Sequence, residues 1–238
     1  MNHHTVDILA FGAHADDVEI GMAGSLAKWS AEGKKIVICD LTEAELSSNG
    51  NVETRKKEAK TAADIMGAVD RVNLCLADRG LFLTDDHIRK IANVIRKYKP
   101  KVIFAPYHND RHPDHGNCFR LVQEAFFSAG IRKFEVEGDY PPHKASYLYQ
   151  YMINGFASPH FVVDTSDFID KKVNALQSYE SQFYIPDGGV QTPLTEGYIE
   201  TVTARDKLFG KEVGVKYAEG FLSSKPLLLN HNLFGEGL

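Results

Sequence analysis

The feature that most constrains how this chain can fold is an alternation of short apolar runs with helix-like segments between Val6 and Phe126. Residues 6–11 read as a buried strand, and 20–31 as a helix stopped by Gly33. Residues 35–41 form the next strand, and 52–66 a helix with Ala59, Ala62, Ala63 and Met66 on one face. A strand at 72–76 is followed by a helix at 85–98, which turns Ile88, Ile91, Val94 and Ile95 inward and ends at Pro100. Residues 101–105 are again strand-like, and Pro113 opens a helix running through Phe126. Apolar strands without polar alternation are covered on both faces. The repeat therefore predicts an α/β fold with a Rossmann-like, mostly parallel sheet flanked by helices.

Downstream the pattern is less regular. Residues 147–152 and 161–163 look like short strands, and 170–183 and 197–213 like helices, with Pro186-Asp187-Gly188-Gly189 as a loop between them. No linker, repeat or low-complexity tract intervenes. Residues 1–238 thus read as one domain whose C-terminal third extends the sheet and supplies part of a pocket wall. With 43% hydrophobic residues the chain can bury a substantial core without disulfides. Cys39, Cys75 and Cys118 lie in apolar segments without paired spacing and read as buried free thiols of a reducing compartment. The formal charge of −5 and the absence of a basic run longer than Arg55-Lys56-Lys57 leave nothing that asks for nucleic acid. The chain passes from Met1-Asn2-His3-His4 directly into a strand, and no apolar run reaches membrane-spanning length. A cytoplasmic protein with no membrane partner is the expectation.

Two dense clusters of ionisable residues each follow a predicted strand: Gly12 to Gly24, reading GAHADDVEIGMAG, and Arg111-His112-Pro113-Asp114-His115. In open parallel sheets ligands bind beyond the carboxyl ends of the strands, so both clusters belong on one rim. Imidazole nitrogen and carboxylate oxygen suit a catalytic zinc, which takes three protein groups and leaves a position for water. His14, Asp17 and His115 fit that set, and Asp16 is then free to act as a base. The donors are equally open to iron, cobalt or nickel. A plainer account has Asp16 and Asp17 capping the following helix and His14 as a structural residue. The addition of His112 and His115, with Asp114 between them, weighs against it. Gly21-Met22-Ala23-Gly24 lacks the spacing of a dinucleotide-binding loop.

Ala13-His14-Ala15-Asp16-Asp17, the helix after it, and His112-Pro113-Asp114-His115 resemble the LmbE-like, or PIG-L, family of zinc-dependent N-acetylglucosamine deacetylases. Most members carry proline where Ala15 stands. Within the family, the similarity runs towards the branch that deacetylates N-acetylglucosaminyl malate in bacillithiol biosynthesis. It rests on Cys39-Asp40-Leu41-Thr42-Glu43-Ala44, Ser47-Ser48-Asn49-Gly50, Asp78-Arg79-Gly80, Tyr151 to Gly155, and Tyr179-Glu180-Ser181-Gln182-Phe183.

That resemblance implies an LmbE-like deacetylase fold and one zinc ion per subunit, bound by His14, Asp17 and His115. Asp16 becomes the general base, and a protonated His112 stabilises the oxyanion, with Asp114 orienting an imidazole. Acetate and a free amino sugar are the products, and either Asp16 or His112 protonates the leaving amine. The anionic malate glycoside calls for cations, and Arg55 and Arg111 match the branch's substrate-binding arginines. Glu43 and Tyr198 are weaker candidates for contacts to the sugar. Asp78-Arg79 reads as an ion pair or a pocket wall, and His108 as a loop residue near the ligand. His3, His4, His87, His143, His160 and His231 stay outside the site. The branch further implies a homo-oligomer, a hexamer. The alternative substrate is N-acetylglucosamine itself or a diacetylchitobiose-like sugar. A metal-stabilised sugar-binding protein without catalysis is the remaining class, and Asp16, acidic yet not needed as a ligand, argues against it.

Overall fold

The computed structural model describes residues 5–228, so His3, His4 and His231 lie outside the described residues. Strands β1 (Ile8–Gly12) and β2 (Ile36–Thr42) are buried along their whole length, as strands sandwiched between helices must be. Successive side chains point to opposite faces. Leu9, Phe11, Val37 and Cys39 enter one apolar cluster, and Ile8, Ala10, Ile36 and Ile38 the other.

The remaining strands are β3 (Asp70–Leu76), β4 (Val102–Pro106), β5 (Tyr147–Tyr151), β6 (Phe161–Asp164) and β7 (Ala218–Ser223). They form one seven-stranded sheet in the order β3-β2-β1-β4-β5-β7-β6, parallel from β3 to β5, with β7 antiparallel to both its neighbours. Helices α3 (Asp85–Tyr98) and α4 (Pro113–Ser128) contribute Ile91, Ile95, Leu121 and Val122 to the first cluster. Helices α1 (Asp17–Ala31), α2 (Val52–Met66) and α5 (Ile169–Gln177) contribute Leu26, Ala62 and Leu176 to the second. The fold is therefore the expected α/β one, a mostly parallel sheet with helices on both faces. No helix among the described residues is long and apolar enough to cross a membrane.

Three local expectations are corrected. The helix expected over 170–183 is broken into α5 and a short α6 (Glu180–Phe183). Tyr179 at the break is fully buried and its hydroxyl donates to Glu19 Oε1 at 2.8 Å, an inward turn that a continuous helix does not offer. Strand β7 was not among those expected, and a Glu and a Gly sit in its middle. There Glu219 is wholly buried among polar partners, and Gly220 leaves room for the Phe209 ring. Cys75 is exposed at the end of edge strand β3, whereas Cys39 and Cys118 are buried.

Helix α1 is itself in two pieces, with Met22 at φ −155° and ψ 19° outside the helical region. The peptide groups freed at the break are claimed from the C-terminal third, as buried polar backbone requires. Glu219 accepts from Gly24 N at 3.0 Å and Ser25 N at 2.6 Å, while Arg205 donates to Ile20 O at 3.2 Å. Helix α7 (Tyr198–Val213) carries Arg205, which also donates to Met152 O and Ile153 O at 3.0 and 2.9 Å. One guanidinium thereby ties the first turns of α1 to the segment that follows β5.

Candidate metal centre and pocket

In a sheet ordered 3-2-1-4-5 the chain reverses its direction of growth between β1 and β4, where loops leaving the two strands part and open a crevice. The segment Ala13 to Asp17 leaves β1 on this rim, and His112 to His115 open α4 beyond β4. The two clusters meet there. The rings of His14 and His112 lie 5.0 Å apart, those of His14 and His115 5.6 Å, and those of His112 and His115 4.7 Å.

Asp17 stands between two of the imidazoles. Its Oδ1 is 3.1 Å from His115 Nε2, and its Oδ2 is 3.7 Å from His14 Nδ1 while accepting from the amides of Ala13 and His14. The outward nitrogen of each ring faces another carboxylate. His14 Nε2 is 3.1 Å from Asp78 Oδ1, and His115 Nδ1 is 3.0 Å from Asp110 Oδ1, although the latter contact is off the line of a hydrogen bond. An imidazole held from behind by a carboxylate, with its other nitrogen turned towards a common point, is the usual setting of a metal-ligating histidine. The donor set fits a divalent metal on this ground. Ligand atoms of His14, His112 and His115 lie within 4.8 Å of one another, and a second set joins His14 to Asp78 and Asp114.

Electrostatics point the same way. Burial disfavours charge on His115, but Asp17 and Asp110 outweigh it and push its pKa up to about 9. His14 is likewise raised against its burial by Asp114, Asp17 and Asp78, and Asp17 is held well below the usual carboxylate range by His115 and His14. The cluster thus favours positive charge at its centre, where a divalent cation can replace ring protons.

Asp16 is arranged differently from its neighbour. It adopts φ 117° in the left-handed region, a strained conformation for a residue with a Cβ. Its Oδ2 accepts from Arg55 Nη1 at 2.8 Å. Burial raises its carboxyl to about 7, with Arg55 opposing the shift and Asp17 adding to it. Arg55 also donates to Ala15 O at 2.7 Å and to Ser47 Oγ at 2.9 Å, and only 6% of it is exposed. It is a brace behind Asp16.

A pocket of about 280 Å³ opens over this cluster. Of the residues singled out in the sequence, His14, Asp16, Asp17, Arg55, Asp78, Arg79, Arg111, His112, His115 and Tyr198 line it. Asp114 is fully buried behind it and accepts from Arg79 N at 2.8 Å and Arg79 Nη1 at 2.9 Å. Asp78 and Arg79 therefore brace two different residues, His14 and Asp114. Glu43 is not brought to this pocket. It pairs with Lys56 at 2.5 Å and lines a separate recess between α2 and β3.

His112 caps α4, its Nδ1 accepting from Asp114 N at 3.3 Å, which leaves Nε2 to carry the proton. Burial and the neighbouring His115 and His14 lower its pKa. The sequence reading missed Asp110 and gave Asn154, within the Tyr151 to Gly155 stretch, no role in the site. Asp110 accepts from His112 N, Asn154 N and Asn154 Nδ2, at 2.8, 2.9 and 2.9 Å. Its position two residues before His112 was the available signal. Asn154 is brought in by the segment that follows β5, held there by Asp110. The Tyr198 hydroxyl donates within the same network, 3.1 Å from Ile153 O and 3.0 Å from Asn154 Oδ1.

Residues 9–126 match the family described as PIG-L, GlcNAc-PI de-N-acetylase. The chain is 30% identical over 226 residues to the diacetylchitobiose deacetylase of Thermococcus kodakarensis, covering 90% of this chain and 81% of that protein. The chain belongs to the PIG-L family. The PIG-L fold extends well beyond the matched segment. The crystal structure of the conserved protein TT1542 from Thermus thermophilus superposes with a TM-score of 0.86 at 38% identity, over 94% of this chain and 97% of that one. A probable N-acetyl-alpha-D-glucosaminyl L-malate deacetylase 2 of Bacillus anthracis is 25% identical over 211 residues, covering 82% of this chain and 89% of that protein. Membership supports a hydrolase of the deacetylase type.

Proposed function

We propose that this PIG-L protein is a zinc-dependent N-deacetylase of N-acetylglucosamine-type sugars, with a neutral substrate such as diacetylchitobiose favoured over the malate glycoside. The observation that carries the metal chemistry is Asp17 set between the inward nitrogens of His14 and His115, each ring backed by its own carboxylate. His14, Asp17 and His115 are the residues that would hold the ion. The chemistry zinc supplies in such a setting is polarisation of the acetamide carbonyl and a lowered pKa for water.

The chain's own groups do the rest. Asp16, fixed by Arg55 and by its own strained backbone, takes a proton from the attacking water. His112, with Nδ1 occupied by the helix cap, presents Nε2–H to the oxyanion of the tetrahedral intermediate. Asp16 then returns its proton to the leaving nitrogen, the C–N bond breaks, and acetate and the amine are released. No covalent enzyme intermediate is required.

The substrate preference rests on Arg55. A dicarboxylate needs cations, yet this guanidinium is already engaged by Asp16, Ala15 and Ser47, leaving Arg111 as the exposed arginine of the pair. The match to a protein named for diacetylchitobiose is also higher in identity than the match to the one named for the malate glycoside. Arg111 keeps the malate reading as the second choice, because a guanidinium grips a single carboxylate well. Acetate release from N-acetylglucosamine, diacetylchitobiose and N-acetylglucosaminyl malate by the zinc-loaded protein tests the order. A malate glycoside turned over faster than both neutral sugars reverses it, and turnover that survives complete chelation removes the metal from the mechanism.

A further inference from the structure

Arg111 and Asn154 line two neighbouring recesses. One is the pocket over the histidine cluster, about 280 Å³, and the other is a second recess of about 270 Å³. The chain shapes this recess actively. After β5 it turns out at Gly155, which sits in the left-handed region at φ 75°, a conformation that favours glycine. The turn places Phe156 at the recess, 58% exposed. Phe156 is nonetheless braced, because it stacks on the buried Phe209 ring with centroids 4.9 Å apart. Tyr107 lines the recess as well, and so does Asn109, whose exposed carboxamide makes no side-chain hydrogen bond among the described residues.

A supported aromatic face with carboxamides and one guanidinium near its edge is suited to a pyranose ring. Such a ring offers an apolar face of C–H groups to the aromatic and a rim of hydroxyls to the polar groups. An anionic substituent is served less well, since Arg111 is the only cation among the described residues lining the recess. We infer that this recess is a second sugar subsite, holding the ring linked to the N-acetylglucosamine unit whose acetamide faces the histidine cluster. The inference rests on the deacetylase reading and goes beyond it: specificity for a two-ring substrate is decided by Phe156 and Asn109, away from the reacting atoms. Arg111, which lines both recesses, can donate to hydroxyls of either ring.

The test compares kcat/KM for N-acetylglucosamine and diacetylchitobiose in zinc-loaded wild type, Phe156→Ala and Asn109→Ala, with melting temperature as the control for folding. Wild type is expected to prefer the disaccharide. Phe156→Ala should lower kcat/KM for the disaccharide by about tenfold, the scale on which a lost apolar contact discriminates, and leave the monosaccharide unchanged. Asn109→Ala should act in the same direction more weakly. Equal loss on both sugars, or no loss on either, overturns the subsite. If wild type releases acetate from neither sugar, it is the deacetylase reading that fails. Calorimetric binding of the same two sugars then decides the subsite by itself: tighter binding of the disaccharide that Phe156→Ala removes supports it, and equal binding overturns it.

Discussion

Two clusters of buried charge flank α1, and they are finished in opposite ways. At the C-terminal third, Lys172 is 1% exposed and donates to Asp206 Oδ2 at 2.6 Å and Glu219 Oε1 at 2.8 Å, while Glu219 also receives the amides at the break in α1. Each charge there has its counter-charge within the protein. At the switch point, His14, Asp17 and His115 are equally well braced from behind but turn ring nitrogens and a carboxylate oxygen towards one another beside an open pocket. The difference teaches that burial of charge does not by itself mark a functional site. What marks one is an arrangement completed on the protein side and left to be completed from the pocket side.

The comparison is broken most directly at Asp16. Asp16→Asn should lower kcat by roughly 10²–10⁴-fold, the usual worth of a positioned general base, while metal content measured by mass spectrometry stays at the wild-type level. Full activity in that variant would remove the base from the mechanism. At the other cluster the expected effect falls on stability. Lys172→Met removes the ammonium shared by two buried carboxylates and should cost about 3–5 kcal/mol in denaturant unfolding, with kcat of the folded fraction close to wild type. A variant as stable as wild type would show that the Lys172 cluster is not the structural one.

Smaller effects sharpen the contrast. Asp110 touches no substrate and acts through His115, so Asp110→Asn should weaken zinc affinity by about 10–100-fold, read by competition with a chelator, and excess zinc should recover much of the activity. An unchanged affinity would reduce Asp110 to a loop brace. The smallest expected signal is a pH slope. Burial raises the Asp206 carboxyl from 3.8 to about 6, with Lys172 opposing the shift and Glu219 adding to it, and Arg205 also faces the group. Because the folded state holds this proton more tightly than the unfolded chain, its contribution to stability is full below pH 3.8 and is lost as pH rises through about 6. Asp206→Asn should flatten that part of the stability profile, measured by urea unfolding between pH 4 and pH 7. An identical slope in the variant counts against the assignment.

Much of this was legible in the chain. The strands of the parallel half declare themselves because burial on both faces demands continuous apolar runs, as at Ile36, Val37 and Ile38. The bounds of α2 and α3 follow from ordinary end signals: Asn51 and Thr84 cap them, Gly67 ends α2, and α3 closes at Lys99, just before Pro100. Less legible were the elements whose form answers to a distant partner. β7 carries Glu219 and Gly220 for the sake of α1 and Phe209, so its own pattern does not look like a strand. α1 breaks at Met22 because Glu219 and Arg205 satisfy the peptide groups that the break exposes.

The division runs through the site as well. The sequence by itself determined the sheet class and, through the placement of both motifs after parallel strands, the rim on which His14, Asp17 and His115 would meet. Strand periodicity and chain direction are local properties, and they fix which end of a sheet a loop leaves. Only the tertiary structure decided that Arg55 braces Asp16, that Glu43 faces another recess, and that Phe156 stands beside the pocket. A long side chain can reach several partners with similar ease, and which one it meets depends on the packing of elements far apart in the chain.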